Sequence, residues 1–380
     1  MKRTSKSRKP GIVSILILSV NIVLVLALLL SYLSNHVSPS VNWALPFFGL
    51  IYPYLILLNF AFIVFWAVRR KWYFVISLVA ILLGWNHLLR TYRFSGQDDF
   101  ESGMKYFKLT SYNVKNLSND NVDLVDKDVR NRIISYLNST GSDLLCLQEL
   151  MIIHPDPDAF IDSLSAAFGL PYHAYTPYSQ KSKRNLDAIF IFSRFPIIGS
   201  GRLSFNNEYN YAVFTDIIAD EDTFRLYNIH LESIRLRHED YSFIAGFDLQ
   251  FEKDENVKEN FLRIFKKLKT AFAKRAGQVN NLIISIENSP FPVILCGDFN
   301  DTPNSYAYHS LTRDLKDAFM ESGKGFGNTY IGKVPSFRID FILYDDLFHS
   351  REFSRGSVRF SDHYPISCYI GRTGQKQGNF

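Results

Sequence analysis

Acidic side chains are missing from the first quarter of the chain. Residues 1–90 hold nine Lys and Arg and not one Asp or Glu. The other 33 basic residues and all 37 acidic ones lie beyond Arg90, a net of −4 there. The formal net charge of +5 therefore belongs to the N-terminal quarter. A general affinity of the remainder for polyanions is not indicated. Cysteine is scarce too. Cys146, Cys296 and Cys368 are the only three, which cannot make a disulfide framework. Each sits in an apolar, strand-like run and reads as a small buried hydrophobe. No Cys-x-x-Cys pair or close His/Cys cluster suggests zinc, and no repeat of fixed period is visible. What is abundant is apolar: 47% of the 380 residues are hydrophobic and 15% aromatic, which excludes a wholly disordered chain.

Those apolar residues are concentrated first in residues 1–90, which read as a membrane region with about three transmembrane helices. The run 12–33 is uncharged and long enough to cross a bilayer, which takes about 20 residues. It is too long for a signal peptide, and no clean cleavage site follows it. A second run covers 46–68, and a third, shorter one covers 72–89 and includes Asn86 and His87. Lys and Arg placement sets the orientation. Five precede the first run, none lies in 34–45, and Arg69, Arg70 and Lys71 follow the second. The N-terminus is therefore expected inside the cytoplasmic membrane, and three spans put everything after Arg90 outside. If the third run fails to cross, that domain is cytoplasmic.

Residues 91–104 are polar and read as a linker, 105–372 as one soluble domain, and 373–380 as a polar tail. Strand-like runs recur at 106–112, 144–147, 188–192, 211–218, 224–229, 293–296, 338–343 and 365–370. Many are apolar throughout, as expected of strands covered on both faces. Helical runs fall at 126–137, 157–168 and 257–288. Mixed order implies an α/β or α+β domain of stacked layers. In the last helix, Phe261, Leu262, Ile264, Phe265, Leu268 and Phe272 recur at helical spacing and read as core. Arg263, Lys266, Lys267, Lys269, Lys274 and Arg275 cover the other face. They form either a solvated face or a surface that meets anionic lipid or an anionic substrate.

Six apolar runs end in an acid, an amide or a histidine. LTSYNVKNL presents Asn113, and LLCLQEL presents Gln148 and Glu149. LYNIHLES presents Asn228 and His230, and VILCGDFNDTP presents Asp298 and Asn300. FRIDFIL contains Asp340, and FSDHYPI carries Asp362 and His363. Each alone has an innocent explanation as a turn residue, a cap or a satisfied core group. Together, so many carboxylates, amides and imidazoles would be costly to bury as plain structure. Strand ends are also where α/β folds gather ligands, because a rigid sheet fixes the loop residues.

Taken with IFSRFPI, these motifs resemble the endonuclease/exonuclease/phosphatase superfamily, in that family's order from about Leu109 to Ile370. The chain reads as a membrane-anchored, bacterial-type member. The resemblance implies a four-layer α/β/β/α sandwich of two mixed sheets, here preceded by transmembrane helices. It also implies hydrolysis of a phosphoester by activated water, with Mg²⁺ as cofactor or Mn²⁺ in its place. By resemblance Asn113, Glu149 and Asp362 are metal ligands, with Glu149 the principal one. Asp298 activates the water, and Asn300 fixes that water or a phosphate oxygen. Asp340 holds His363 against the phosphate, and His230 contacts phosphoryl oxygens or protonates the leaving group. Asp187 stands where relatives often have a small residue. With Arg184 and Asn185 it either borders the pocket or forms a turn. The expected partners are a phosphoester substrate, either nucleic acid or a phospholipid head group, and the lipid bilayer. The alternative is a membrane-tethered binding protein that uses the same fold without catalysis.

Overall fold

The computed structural model describes residues 11–117, 127–178, 185–206, 209–220, 222–246, 257–332 and 336–372. Two compact units divide between Leu88 and Leu89. In the first, the run 12–33 is a single helix, Ile12–Leu33. It is the one helix among the described residues that is long and apolar enough to cross a membrane. The second expected span is broken into Leu45–Leu50 and Tyr52–Val68. Pro53 lies in the first turn of the latter, where a missing N–H costs nothing. The third is broken at Gly84 into Phe74–Leu83 and Trp85–Leu89. Within the unit, Asn21 Nδ2 donates to Ser77 Oγ (2.7 Å) and Ser77 Oγ donates to Asn59 Oδ1 (3.0 Å). Trp66 Nε1 donates to Asn21 Oδ1 (3.0 Å), so a buried polar chain ties three helices together.

The second unit carries β1 (Tyr92–Arg93), β2 (Tyr106–Asn113), β3 (Leu144–Ile153), β4 (Tyr172–Pro177), β5 (Asn185–Ser193), β6 (Ile197–Phe205) and β7 (Tyr209–Ala219). It continues with β8 (Asp222–His230), β9 (Val293–Asp298), β10 (Lys316–Asp317), β11 (Gly325–Phe326), β12 (Asp340–Tyr344), β13 (Phe348–Arg355) and β14 (Ile366–Arg372). Twelve of these form two six-stranded sheets, ordered β13-β14-β2-β3-β5-β4 and β10-β12-β9-β8-β7-β6. Each sheet has the same grammar. One central parallel pair, β2/β3 or β8/β9, is flanked on both sides by antiparallel neighbours.

The side-chain period of two explains the layering. On β9, Ile294 and Cys296 point into the cluster between the sheets, with Leu109, Leu144, Cys146, Ile189 and Ile191 of the facing sheet. Val293 and Leu295 point the other way, against Val279, Leu282, Ala307 and Leu311 of the covering helices. On the far side, Val129, Ile133, Ile161 and Leu164 cover Leu145, Leu147, Phe190 and Phe192. The domain is thus the expected α/β/β/α sandwich, and its three cysteines are buried and free. A fully buried amide pair crosses the inner layer. Gln148 Nε2 donates to Asn228 Oδ1 (2.6 Å), and Asn228 Nδ2 donates to Leu147 O (3.1 Å) and Phe190 O (2.7 Å).

Two readings need correction, and residues 91–104 carry contacts of their own. Tyr92 packs on Phe326 at 4.8 Å between ring centres, and Glu101 Oε1 accepts from Arg351 Nη2 at 2.5 Å. The helix Val257–Glu287 buries a different stripe from the one its Phe and Leu spacing suggests. Phe272 is buried, but Phe261 and Leu262 are exposed. Arg275, expected on the solvated face, is buried instead. Its Nε bonds Asp301 at 3.0 Å and its Nη1 bonds Glu232 O at 2.9 Å. β4, β6 and β13 were not anticipated. The polar tail and Arg184 lie outside the described residues.

Candidate active site

The two parallel pairs end at the same place. Register sets Asn113 opposite Gln148 at the end of β2/β3. In the other sheet it sets His230, Asp298 and Asp340 side by side across β8, β9 and β12. Successive residues of a strand point to opposite faces, so only the residue at the right parity enters the site. At Glu149 the chain breaks that parity. The β3/β5 register shifts between Leu147 and Leu150, and Glu149 takes φ 52°. Such a bulge re-aims one side chain. A non-glycine residue with positive φ costs about 1–3 kcal/mol, which the surrounding sheet must offset. Asn300 also has φ 52°. Gly297 has φ 137°, and a Cβ there would lie 2.0 Å from Ile229 O of the parallel neighbour β8. Glycine at 297 is what lets β9 deliver Asp298 alongside His230.

The side chains converge on Asp298, which is 1% exposed. Its Oδ1 accepts the Asn300 N–H (2.7 Å). Its Oδ2 accepts from Asn113 Nδ2 (3.0 Å) and Asn300 Nδ2 (3.2 Å). Asn113 Nδ2 also reaches Glu149 Oε1 (3.1 Å). His230 Nε2 lies 3.4 Å from Glu149 Oε1 and 3.7 Å from Asp298 Oδ2. His363 Nε2 lies 3.7 Å from Asp298 Oδ2, while its Nδ1 donates to Asp340 Oδ2 (2.9 Å). Asp340 in turn has its N–H bound by the buried Thr329 Oγ1 (3.1 Å). Two groups of metal-ligand atoms, Glu149/His230/Asp298 and Asp298/Asp340/His363, each fall within 4.8 Å and share Asp298.

Two expected positions differ from the rest. Asp362 pairs with Lys115 Nζ (3.0 Å) and stands outside both groups. Asn113 turns its amide nitrogen to the carboxylates, while its Oδ1 accepts the Lys115 N–H (3.0 Å). Tyr178, at the end of the unanticipated β4, was missed. Its hydroxyl accepts the Glu149 N–H (3.0 Å) and meets His230 Nδ1 at 2.7 Å. In the tautomer that takes the Tyr178 hydroxyl proton at Nδ1, the ring's own proton is on Nε2, the atom that faces the carboxylates and has no hydrogen-bond partner among the described residues. The only sequence signal was the polar tip of an aromatic strand, YHAYTPY. Asp187 lies within β5, not in a turn, and its buried Oδ1 has no partner. It lines a cavity of about 380 Å³ with Glu149, Tyr178, Tyr209 and His230.

Burial sets the electrostatics. It pushes the Asp298 carboxyl up, Asp340 adds to this, and the two imidazoles oppose it. Burial works against the charged form of His363, but Asp340 and Asp298 outweigh it and push the ring up to about 10. His363 is therefore an imidazolium at neutral pH. Asp187 is pushed up to about 6 by burial and by Glu149, with His230 opposing.

Solved structures similar to this chain include three from different sources. The human Nocturnin catalytic domain with bound sulfate is 16% identical, with TM-score 0.48, over 71% of this chain and 98% of that one. D. rerio TDP2 complexed with single-strand DNA product is 18% identical, with TM-score 0.48, over 70% and 99%. An endonuclease/exonuclease/phosphatase from Beutenbergia cavernae is 14% identical, with TM-score 0.49, over 71% and 72%. No curated protein matches the chain. Residues 14–91 match a family model described as a domain of unknown function (DUF8431). Residues 110–363, which hold every strand-end group described above, match the model of the Endonuclease/Exonuclease/phosphatase family, and the chain belongs to that family.

Proposed function

We propose that this protein is a membrane-anchored, divalent-metal-dependent hydrolase of phosphodiesters. The observation that carries the reading is the convergence of Glu149, His230, Asp298, Asp340 and His363 about one buried carboxylate. A hard divalent cation, Mg²⁺ or Mn²⁺, suits the donor chemistry, the carboxylate oxygens of Glu149 and Asp298. Glu149 is the principal ligand, with Asn113 and Asp362 as assisting groups. Asn113 would have to present its oxygen, and Asp362 would have to leave Lys115. When bound, such an ion neutralises phosphoryl charge and favours ionised water.

The chain's own residues supply the rest. Asp298 is fixed by the Asn300 and Asn113 amides and has its proton affinity raised by burial. It accepts a proton from the attacking water. Asn300 donates through Nδ2 to that water or to a phosphoryl oxygen. His363, charged and held by Asp340, stabilises negative charge as it builds on phosphorus-bound oxygen. His230, oriented by Tyr178, offers its Nε2 proton to a phosphoryl oxygen or to the leaving group.

Anchoring is supported by Ile12–Leu33, of which the most apolar window is only 17% buried within the protein, unlike the core helix of a soluble domain. The Asn21–Ser77–Asn59–Trp66 chain adds support, since interhelical hydrogen bonds are a usual device in helices that lie in lipid. Residues 1–90 are then the membrane region, 105–372 the catalytic domain, and the domain lies outside the cytoplasm. The test is hydrolysis of bis-p-nitrophenyl phosphate by the full chain in detergent micelles. Turnover with Mg²⁺ or Mn²⁺ that stops on chelation is expected. No turnover with any divalent ion would favour a binding protein.

A further inference from the structure

Beside the catalytic cavity runs a second, larger cleft of about 770 Å³ that the proposed chemistry does not use. One wall is the segment 232–237 that follows β8. The other is the N-terminal half of the helix Val257–Glu287. The two spaces adjoin, since Glu232, Ser233 and Arg235 line both. The first wall is pinned. Gln278 Oε1 accepts the Glu232 N–H (2.9 Å), and the buried Arg275 Nη1 donates to Glu232 O (2.9 Å).

The lining is strongly cationic: Arg235, Arg237, Arg263, Lys266, Lys267 and Lys274. Among the described residues two carboxylates answer these six charges, and both are already engaged. Glu232 takes Tyr209 Oη (2.6 Å), Lys274 (3.3 Å) and Arg235 (3.4 Å). Asp240, with no exposed surface, takes Lys267 (2.5 Å), Arg263 (2.9 Å) and the Arg237 N–H (2.7 Å). The side chains of Arg237 and Lys266 are exposed, with no ion pair among the described residues. The remaining lining is Ile234, Leu236, Thr270 and Ala271. No described lining residue is aromatic, so the described walls offer no face on which a nucleobase would stack.

We propose that this cleft binds a second phosphate group carried by the same small, head-group-type substrate whose ester enters the catalytic cavity. The inference rests on the phosphodiesterase reading and adds to it the substrate class, a compound with at least two phosphates. Arg235 lines both spaces, and Arg237 and Lys266 supply charge that no described carboxylate pairs.

The test is calorimetric binding of matched probes to the full chain in detergent micelles: inositol 1-phosphate against inositol 1,4-bisphosphate, and thymidine 5′-phosphate against the dinucleotide pTpT. The expected result is about tenfold tighter binding of the bisphosphate than of the monophosphate, the size of one charge-assisted contact, shrinking as salt is added. Arg237→Glu with Lys266→Glu brings that ratio to about one. Arg237→Gln with Lys266→Gln gives an intermediate ratio, and Lys258→Glu on the same helix leaves it intact. Thermal melts of each variant separate unfolding from lost binding. Equal affinity for the two inositol phosphates, or a ratio that survives charge reversal, overturns the proposal. A contrast confined to the nucleotides does so too, since the cleft would then track a nucleic-acid backbone. The affinity ratio does not depend on turnover, so absent hydrolysis of bis-p-nitrophenyl phosphate counts against the catalytic reading and an absent ratio counts against the cleft.

Discussion

Asp298 and His363 are the residues on which the proposed chemistry concentrates. Each has two or more polar neighbours from different strands, and neither reaches bulk water freely. Removing the Asp298 carboxylate leaves the Asn113 and Asn300 amides aimed at an empty place and the attacking water without a proton acceptor. Removing the His363 ring leaves the buried Asp340 carboxylate uncompensated. Asp298→Ala and His363→Ala are each expected to lower kcat by at least about a hundredfold. Initial rates on bis-p-nitrophenyl phosphate check this, and near-wild-type turnover in either variant removes that residue from the mechanism. Asp187 gives a prediction of the opposite kind. Its folded-state pKa of about 6 lies above the unfolded value of 3.8. The folded state therefore holds the proton more tightly, and ionising Asp187 opposes folding. That penalty is absent below about pH 4 and complete above about pH 6. Asp187→Asn should raise the stability of the metal-free protein by about 1–3 kcal/mol at pH 8. The gain should vanish at pH 4. Thermal melts in chelator at the two pH values decide it, and a gain equal at both would show that ionisation is not the cause.

The elements behind these residues were legible in the sequence to different degrees, for physical reasons. Strands buried on both faces, such as 144–147 and 293–296, stand out as unbroken apolar runs that end in a chemical group. Their extensions do not. β3 runs on to Ile153 through a bulge at Glu149, and nothing in CLQEL marks a residue with positive φ. β6 and β13 are outer strands with many half-exposed or exposed positions, so their runs IIGSGRLSF and FHSREFSR lack an apolar signature. Arg275 was misread because its burial depends on Asp301 and Glu232, partners that come from elsewhere in the chain. The motif residues were identifiable. The parity and register that bring them together were not, and Gly297 makes the point. It lies inside β9 and is required by the approach of Ile229 O at 2.0 Å from its Cβ position, a contact between strands that the run VILCGDFNDTP does not display. Gly297→Ala should displace β9 from β8 and cost several kcal/mol through overpacking and positive-φ strain. A fall in the denaturation midpoint with a matching loss of activity is expected. Unchanged stability would mean that the parallel pair relaxes without moving Asp298.

At the scale of the whole molecule, the charge asymmetry of the sequence becomes a question of topology. The basic residues of the first quarter sit before Ile12 and again at Arg69, Arg70 and Lys71, and cationic ends resist translocation. The helix Ile12–Leu33 has length to spare for a bilayer. Tyr52–Val68, with 17 residues, rises about 26 Å and falls a little short of the roughly 30 Å core. Phe74–Leu83 has only ten residues and is followed by a separate five-residue helix. Whether the catalytic domain lies outside thus depends on the third apolar run crossing in two pieces. The freed backbone groups at Gly84 would have to be satisfied inside the helix cluster and not by lipid. The proposed orientation requires that crossing. Fused after Phe380, alkaline phosphatase is expected to be active and green fluorescent protein dark, because the first matures only outside the cytoplasm and the second, when exported unfolded, only inside. The reverse pair of results would mean that the run 72–89 returns to its own side. The domain 105–372 would then face the cytoplasm, with Arg90 and Arg93 on the basic side where their charge would ordinarily place them.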